Sequence, residues 1–76
     1  DKKDIMAVDF QAELNSLLNE LNAKLRIVFI LRDIEGNSVS ETAQILNLSE
    51  SNVKVRLMRA RMFLKERLSA NYLERV

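Results

Sequence analysis

The 76-residue chain contains no proline and a single glycine, Gly36. These are the residues that most readily stop a helix. A chain so short of them is confined to helices, with few places to turn, and the apolar spacing agrees. Phe10, Leu14, Leu17, Leu18 and Leu21 recur with the 3.6-residue period that marks one helix face. Asp9 is the expected N-cap of this first helix, and residues 1–8, mixed in charge and weak in apolar signal, read as a frayed linker remnant. Asn22 is placed to cap a second helix running to about Glu35. Its core face holds Leu25, Val28 and Phe29, with Leu31 or the stem of Arg32. The run Ile27 to Leu31 is apolar almost all round, which predicts contact on more than one side. Its β-branched residues suit a strand as well, but the helix formers before it and its length favour helix. Gly36 then supplies the left-handed residue that ends the helix.

Ser38 and Glu41 have the spacing of a capping box, in which each side chain satisfies a free backbone N–H at the other's position. The helix they open is short, Val39 to Leu46, with Ala43 near its middle. Asn47-Leu48 forms a tight turn, and Ser49 caps a fourth helix that continues to about Leu68 or beyond. The expected fold is all-α: a small four-helix domain over residues 9–72, followed by a tail at 73–76. Two helices joined by a short turn, the first with a small residue at the crossing, outline a helix-turn-helix over about 39–68, with no wing.

Composition removes several classes of function. The length allows one domain with a modest core. With no Cys and no His, disulfides, thiolate zinc sites, thiol nucleophiles and most general-base chemistry are excluded. Asp33 and Glu35 read as solvated carboxylates near a helix end rather than a catalytic pair. No metal, cofactor or small-molecule substrate is expected, and no apolar run reaches membrane-span length. The expectation is a non-enzymatic module.

The net charge of +1 hides an uneven distribution. Residues 1–36 carry a net −2 and residues 37–76 a net +3. Within 51–67, Lys54, Arg56, Arg59, Arg61, Lys65 and Arg67 face only Glu66. Such a stripe is either a solvated helix face or the footprint of a polyanion binder. With Val53 set at 0° and about 100° per residue, Val53, Leu57, Ala60, Leu64 and Leu68 fall on one seam and belong to the core. Lys54, Val55, Met58, Arg59, Met62 and Lys65 lie opposite, with Arg56 and Arg61 on the flanks. Exposed Val55 and Met58 among cations suit a DNA groove, where an apolar group touches a thymine methyl while Arg or Lys reads guanine. The helix start, with Ser49, Ser51 and Asn52, offers N–H groups and hydroxyls to a phosphate.

The segment LRIVFILRDIEGNSVSETAQILNLSESNVKVRLMRARMFLKERL resembles region 4 of bacterial sigma-70-type sigma factors, most closely the extracytoplasmic-function subfamily. The resemblance spans Leu21 to about Leu68. It rests on VFILRDIEG before the turn, on SVSETAQILNLSESNVK, and above all on VRLMRAR. The helix at 10–21 fits the one that precedes this motif in the family. Two positions depart from the pattern: Leu21-Asn22 where Leu-Pro is common, and Asn47 where Gly is common.

The resemblance implies a bacterial cytoplasmic domain that reads the −35 promoter element in the major groove while attached to core RNA polymerase through its flap. An anti-sigma factor often covers such a domain. By position, base reading falls to Lys54, Val55, Met58 and Arg59. Phosphate contacts fall to Arg56, Arg61, Ser51 and Asn52, and to Ser40 and Thr42 at the start of the third helix. The region that binds the −10 element has no counterpart in these residues, so the chain reads as a C-terminal fragment of a sigma factor. Two alternatives stand beside this one. A NarL/LuxR-type response-regulator or other helix-turn-helix regulator shares the outline, though it normally lacks the Arg56, Arg59, Arg61 cluster. A helical interaction module, binding a protein through Ile27–Leu31 and never DNA, is the other.

Overall fold

The computed structural model describes the backbone of residues 2–72 and the side chains of residues 10–68. Four α-helices follow in order: α1 Lys2–Glu20, α2 Ala23–Phe29, α3 Val39–Leu46 and α4 Glu50–Tyr72. A π-helical turn, Ile30–Ile34, continues α2. The expected four-helix, all-α domain is present, and the described residues contain no strand. The tail at 73–76 lies outside the described residues.

Helix α1 starts well before Asp9, which sits inside it rather than capping it. The expected linker remnant is helical from Lys2. Nothing in the first 35 residues, with neither Pro nor Gly, obliges a helix to begin at Asp9. The break comes instead at Leu21–Asn22. Asn22 is the N-cap of α2, and its Oδ1 accepts from the Lys24 backbone N–H at 2.8 Å. Arg26 reaches back and donates from Nη2 to the Leu21 carbonyl at 3.1 Å, satisfying an acceptor exposed by the turn.

The second helix is not a uniform α-helix up to Glu35. At its end the Glu35 N–H bonds the Ile30 carbonyl, five residues back, at 2.9 Å. This wider turn shifts the following side chains off the α-helical stripe. Val28 and Leu31 are buried, whereas Ile27 and Ile34 are 39% and 55% exposed. The run Ile27 to Leu31 meets the core on more than one side, as expected: Phe29 packs against both buried clusters, and of the five residues only Ile27 is exposed. Gly36 closes the segment with φ +78°, and open space surrounds its Cα, so the backbone angle alone demands glycine. Asn37 ties the turn together. Its N–H and its Nδ2 both donate to the Leu31 carbonyl, at 2.9 and 3.1 Å, and its own carbonyl accepts from Arg32 Nη1 at 2.6 Å.

Both halves of the Ser38–Glu41 capping box form, at 2.8 and 3.0 Å. That amide bond to Ser38 holds the Glu41 carboxyl below its usual range. Asn47 takes the left-handed conformation, φ 54°, where glycine is commoner. Ser49 Oγ accepts from the Asn52 N–H at 3.1 Å and starts α4.

Helix α4 is the axis of the domain, with α1, α2 and α3 all packed on it. Its buried residues are Val53, Leu57, Ala60 and Leu64, with Leu68 half-buried: the seam read from the sequence. The upper half packs with Val28 and Ala43, the lower half with Leu17, Leu18 and Leu21, and Phe29 touches both groups. Phe10 shares the α1 stripe but remains 44% exposed.

Candidate nucleic-acid interface

With its seam facing inward, α4 must present its other side to solvent. Lys54, Val55, Met58, Arg59, Met62 and Lys65 are all exposed, as expected. Around the axis, Ser51, Val55, Met58 and Met62 lie near the outward line, at about 140–200° from Val53. Val55 is 41% exposed and Met58 and Met62 are each 54% exposed. Lys54, Arg61 and Lys65 run along one flank, near 80–120°; Arg59, Asn52 and Arg56 run along the other, near 240–300°. The helix thus carries an apolar ridge between two cationic edges.

The fold widens both edges with residues from other elements. On the first flank, Arg32 from the π turn joins Lys54, Arg61 and Lys65 around one groove, whose floor includes Leu57 and Met58. On the second, Asn22 from the α1–α2 turn and Lys24 from the start of α2 join Arg56 and Arg59 around another. Lys24 and Arg32 were not among the expected site residues. Neither carries a local motif, and only the tertiary fold brings Lys24 beside residues more than thirty positions later.

Several expected site residues fare differently. Ser51 and Asn52 are exposed at the first turn of α4, where the Asn52 N–H is taken by the Ser49 cap and the side chains face solvent. Ser40 is exposed in the first turn of α3. Thr42 is not available: it is fully buried, and its Oγ1 donates to the Ser38 carbonyl at 2.8 Å. Its hydroxyl closes the start of α3 from within, so the expected phosphate contact is withdrawn. Arg56 is half-buried, its stem on the protein and its head at the edge.

Arg61 is already engaged. Its Nε and Nη2 donate to the two carboxylate oxygens of Asp33 at 2.7 and 2.5 Å. Asp33 is therefore not the solvated carboxylate expected from the sequence. The Arg61 hydrogen bonds hold its carboxyl below the usual range, against the opposing effect of burial, with the charges of Arg61 and Arg32 helping. The same bonds raise the pKa of Arg61. Arg67 also turns aside, lying 4.8 Å over the Phe63 ring and 3.5 Å from Glu20 on α1. Of the six cations in 51–67, Lys54, Arg56, Arg59 and Lys65 make no ion pair among the described residues. No helix among these residues is long and apolar enough to cross a membrane.

Comparison with known proteins gives one family. The model described as Sigma-70, region 4 matches residues 11–64, more than half of the chain. Nothing matches among the curated proteins or among the solved structures.

Proposed function

Because the chain belongs to the sigma-70 region 4 family, we propose that it reads the −35 promoter element by laying α4 in the major groove. The observation that carries this is the apolar ridge of α4 with a cationic groove on each side. A helix in the major groove meets bases in front and a phosphate strand on each side. A solvated helix face needs neither the ridge nor the contributions of Lys24 and Arg32.

In this reading Lys54 and Arg59 reach base edges, while Val55 and Met58 contact thymine methyls. Arg56, Ser51, Asn52 and Ser40 bind phosphates, Lys65 extends the contact along one edge of α4, and Lys24 extends it beyond α4 at the other. The family places such a domain with RNA polymerase rather than with a substrate, and no enzymatic role is proposed. We assign the chain further to the extracytoplasmic-function subfamily, on the strength of VRLMRAR and the preceding VFILRDIEG. Exposed Ile27 and Ile34, which line neither cationic groove, offer the polymerase flap, or a covering anti-sigma factor, an apolar contact. The setting is the bacterial cytoplasm, where promoter DNA and polymerase meet.

The test is selection of duplexes from a random pool by the chain at low salt, followed by anisotropy titrations of the enriched sequence. Enrichment of one short motif, with affinity falling linearly on a log–log salt plot, is the expected result. Salt-dependent binding with no enriched motif overturns base reading, and no binding at any salt overturns the DNA role. A one-to-one complex is expected, where a regulator of the NarL/LuxR type would occupy paired half-sites as a dimer.

A further inference from the structure

We propose that Asp33 limits the affinity of the DNA interface, its carboxylate competing with a DNA phosphate for the guanidinium of Arg61. The proposal rests on α4 being the DNA-reading helix. It concerns how that helix is restrained.

Arg61 lies on the cationic edge of α4 with Lys54 and Lys65, where a phosphate strand would pass. Its fork of Nε and Nη2 is the part of the side chain that fits a phosphate in two-point contact. Asp33 occupies that fork with both carboxylate oxygens. That fork cannot serve both anions, and a phosphate is left the end-on Nη1–Nη2 edge of a guanidinium whose charge Asp33 already balances. Asp33 projects from the π turn that continues α2. It therefore ties the Arg61 head to that turn. A phosphate arriving on this flank meets a carboxylate as well as the cations.

The pair is open enough to be contested. The Arg61 side chain is 51% exposed and that of Asp33 24%. Exposed ion pairs of this kind are weak in water, so removing the carboxylate frees the guanidinium at little cost in stability. Asp33 stays ionised at neutral pH, since Arg61 and Arg32 stabilise its charge. The restraint acts on a phosphate contact, which carries no sequence information. Asp33 thus sets the level of binding to every sequence and leaves the preference among sequences to Lys54, Val55, Met58 and Arg59.

The experiment compares the full chain with Asp33→Asn, Arg61→Ala and the double variant. Each is titrated by anisotropy with the selected duplex and with an unrelated one over a range of salt, and each is melted. Asp33→Asn should steepen the salt dependence by about 0.9, the contribution of one added phosphate contact. It should tighten binding to both duplexes alike, by about fourfold, the share of a single contact in non-specific affinity. Arg61→Ala alone should change the slope much less, and the double variant should lose the gain. A merely structural role would lower the melting temperature of Asp33→Asn and leave its slope unchanged. An unchanged or shallower slope overturns the proposal, and so does a gain that survives in the double variant. If the parent binds neither duplex, the DNA reading itself fails; if the parent binds and only the Asp33→Asn gain is missing, that reading stands and this one falls.

Discussion

Replacing Thr42 by valine separates two roles that share one position. The variant keeps the branched shape and removes the hydroxyl from a site that is fully buried. The lost bond is Oγ1 to the Ser38 carbonyl, 2.8 Å. That carbonyl is not orphaned, because the Thr42 backbone N–H donates to the same oxygen at 2.9 Å. The cost is therefore one neutral hydrogen bond, about 0.5–1.5 kcal/mol, with no added penalty for an unsatisfied group. The new methyl takes the hydroxyl's place beside that carbonyl and offsets little of this, which leaves a net loss of about 1 kcal/mol. For a domain of this size that corresponds to a fall in melting temperature of roughly 4–8 °C. Thermal melting by circular dichroism reads this loss, and salt-dependent titration of DNA binding reads the other role. Affinity should match the parent's, since no phosphate contact is removed. Weaker binding to every duplex, with melting unchanged, would place the hydroxyl on DNA and refute its assignment to the interior.

Three further outcomes are expected. Arg59→Ala should cost about 1–3 kcal/mol at the selected site and relax preference at one base pair, as read by titration against single-base variants; equal affinity of mutant and parent removes Arg59 from base reading. Val53→Asp should leave the chain unfolded in circular dichroism, because it places an unpaired carboxylate at a position with no exposed surface; an unchanged melting curve breaks the register of α4. The stability that the parent holds over Asp33→Asn should depend on pH with a definite sign. The folded pKa of Asp33 is depressed, so this contribution is complete above the ordinary aspartate range and is lost as pH falls through the folded value. The pair is largely solvent-exposed, so the difference stays within about 1 kcal/mol. Melting temperatures of the two proteins should converge in acid, and divergence there would contradict the ion pair.

The parts of the domain visible in the sequence are those governed by short-range rules. The α4 seam follows from the helical period, and the bounds of α3 follow from a capping box at three-residue spacing and an Asn able to turn left-handed. The start of α1 was not legible, because Asp9 has the chemistry of a cap and nothing before it breaks a helix. Burial of Thr42 left only a weak trace: a threonine four residues after a cap can bond the cap's carbonyl. The two features that shape the candidate site most were hidden for a different reason. Asp33 meets Arg61 across 28 positions, and Lys24 meets Arg56 and Arg59 across a longer gap. No periodicity links such pairs, and only the packing of α2 on α4 creates them.

The disposition of charge bears on how such a domain can work. The segment 51–67 holds six cations, but Arg61 and Arg67 are committed to Asp33 and Glu20. If Lys54 and Arg59 turn to bases and Arg32 stays on the Asn37 carbonyl, then Arg56, Lys65 and Lys24 remain for phosphates. Three such contacts give a salt slope of about −2.7, and affinity then falls roughly 40-fold between 50 and 200 mM salt. Binding that depends so little on phosphates is weak for any DNA, which suits a module that must not settle on arbitrary sequence. Useful occupancy at a promoter then has to come from attachment to a larger assembly, where tethering supplies an effective concentration on the order of millimolar. Exposed Ile27 and Ile34, which line neither cationic groove, are available for that attachment. In this arrangement the partner supplies the energy of residence, and the ridge of α4 supplies the choice of sequence.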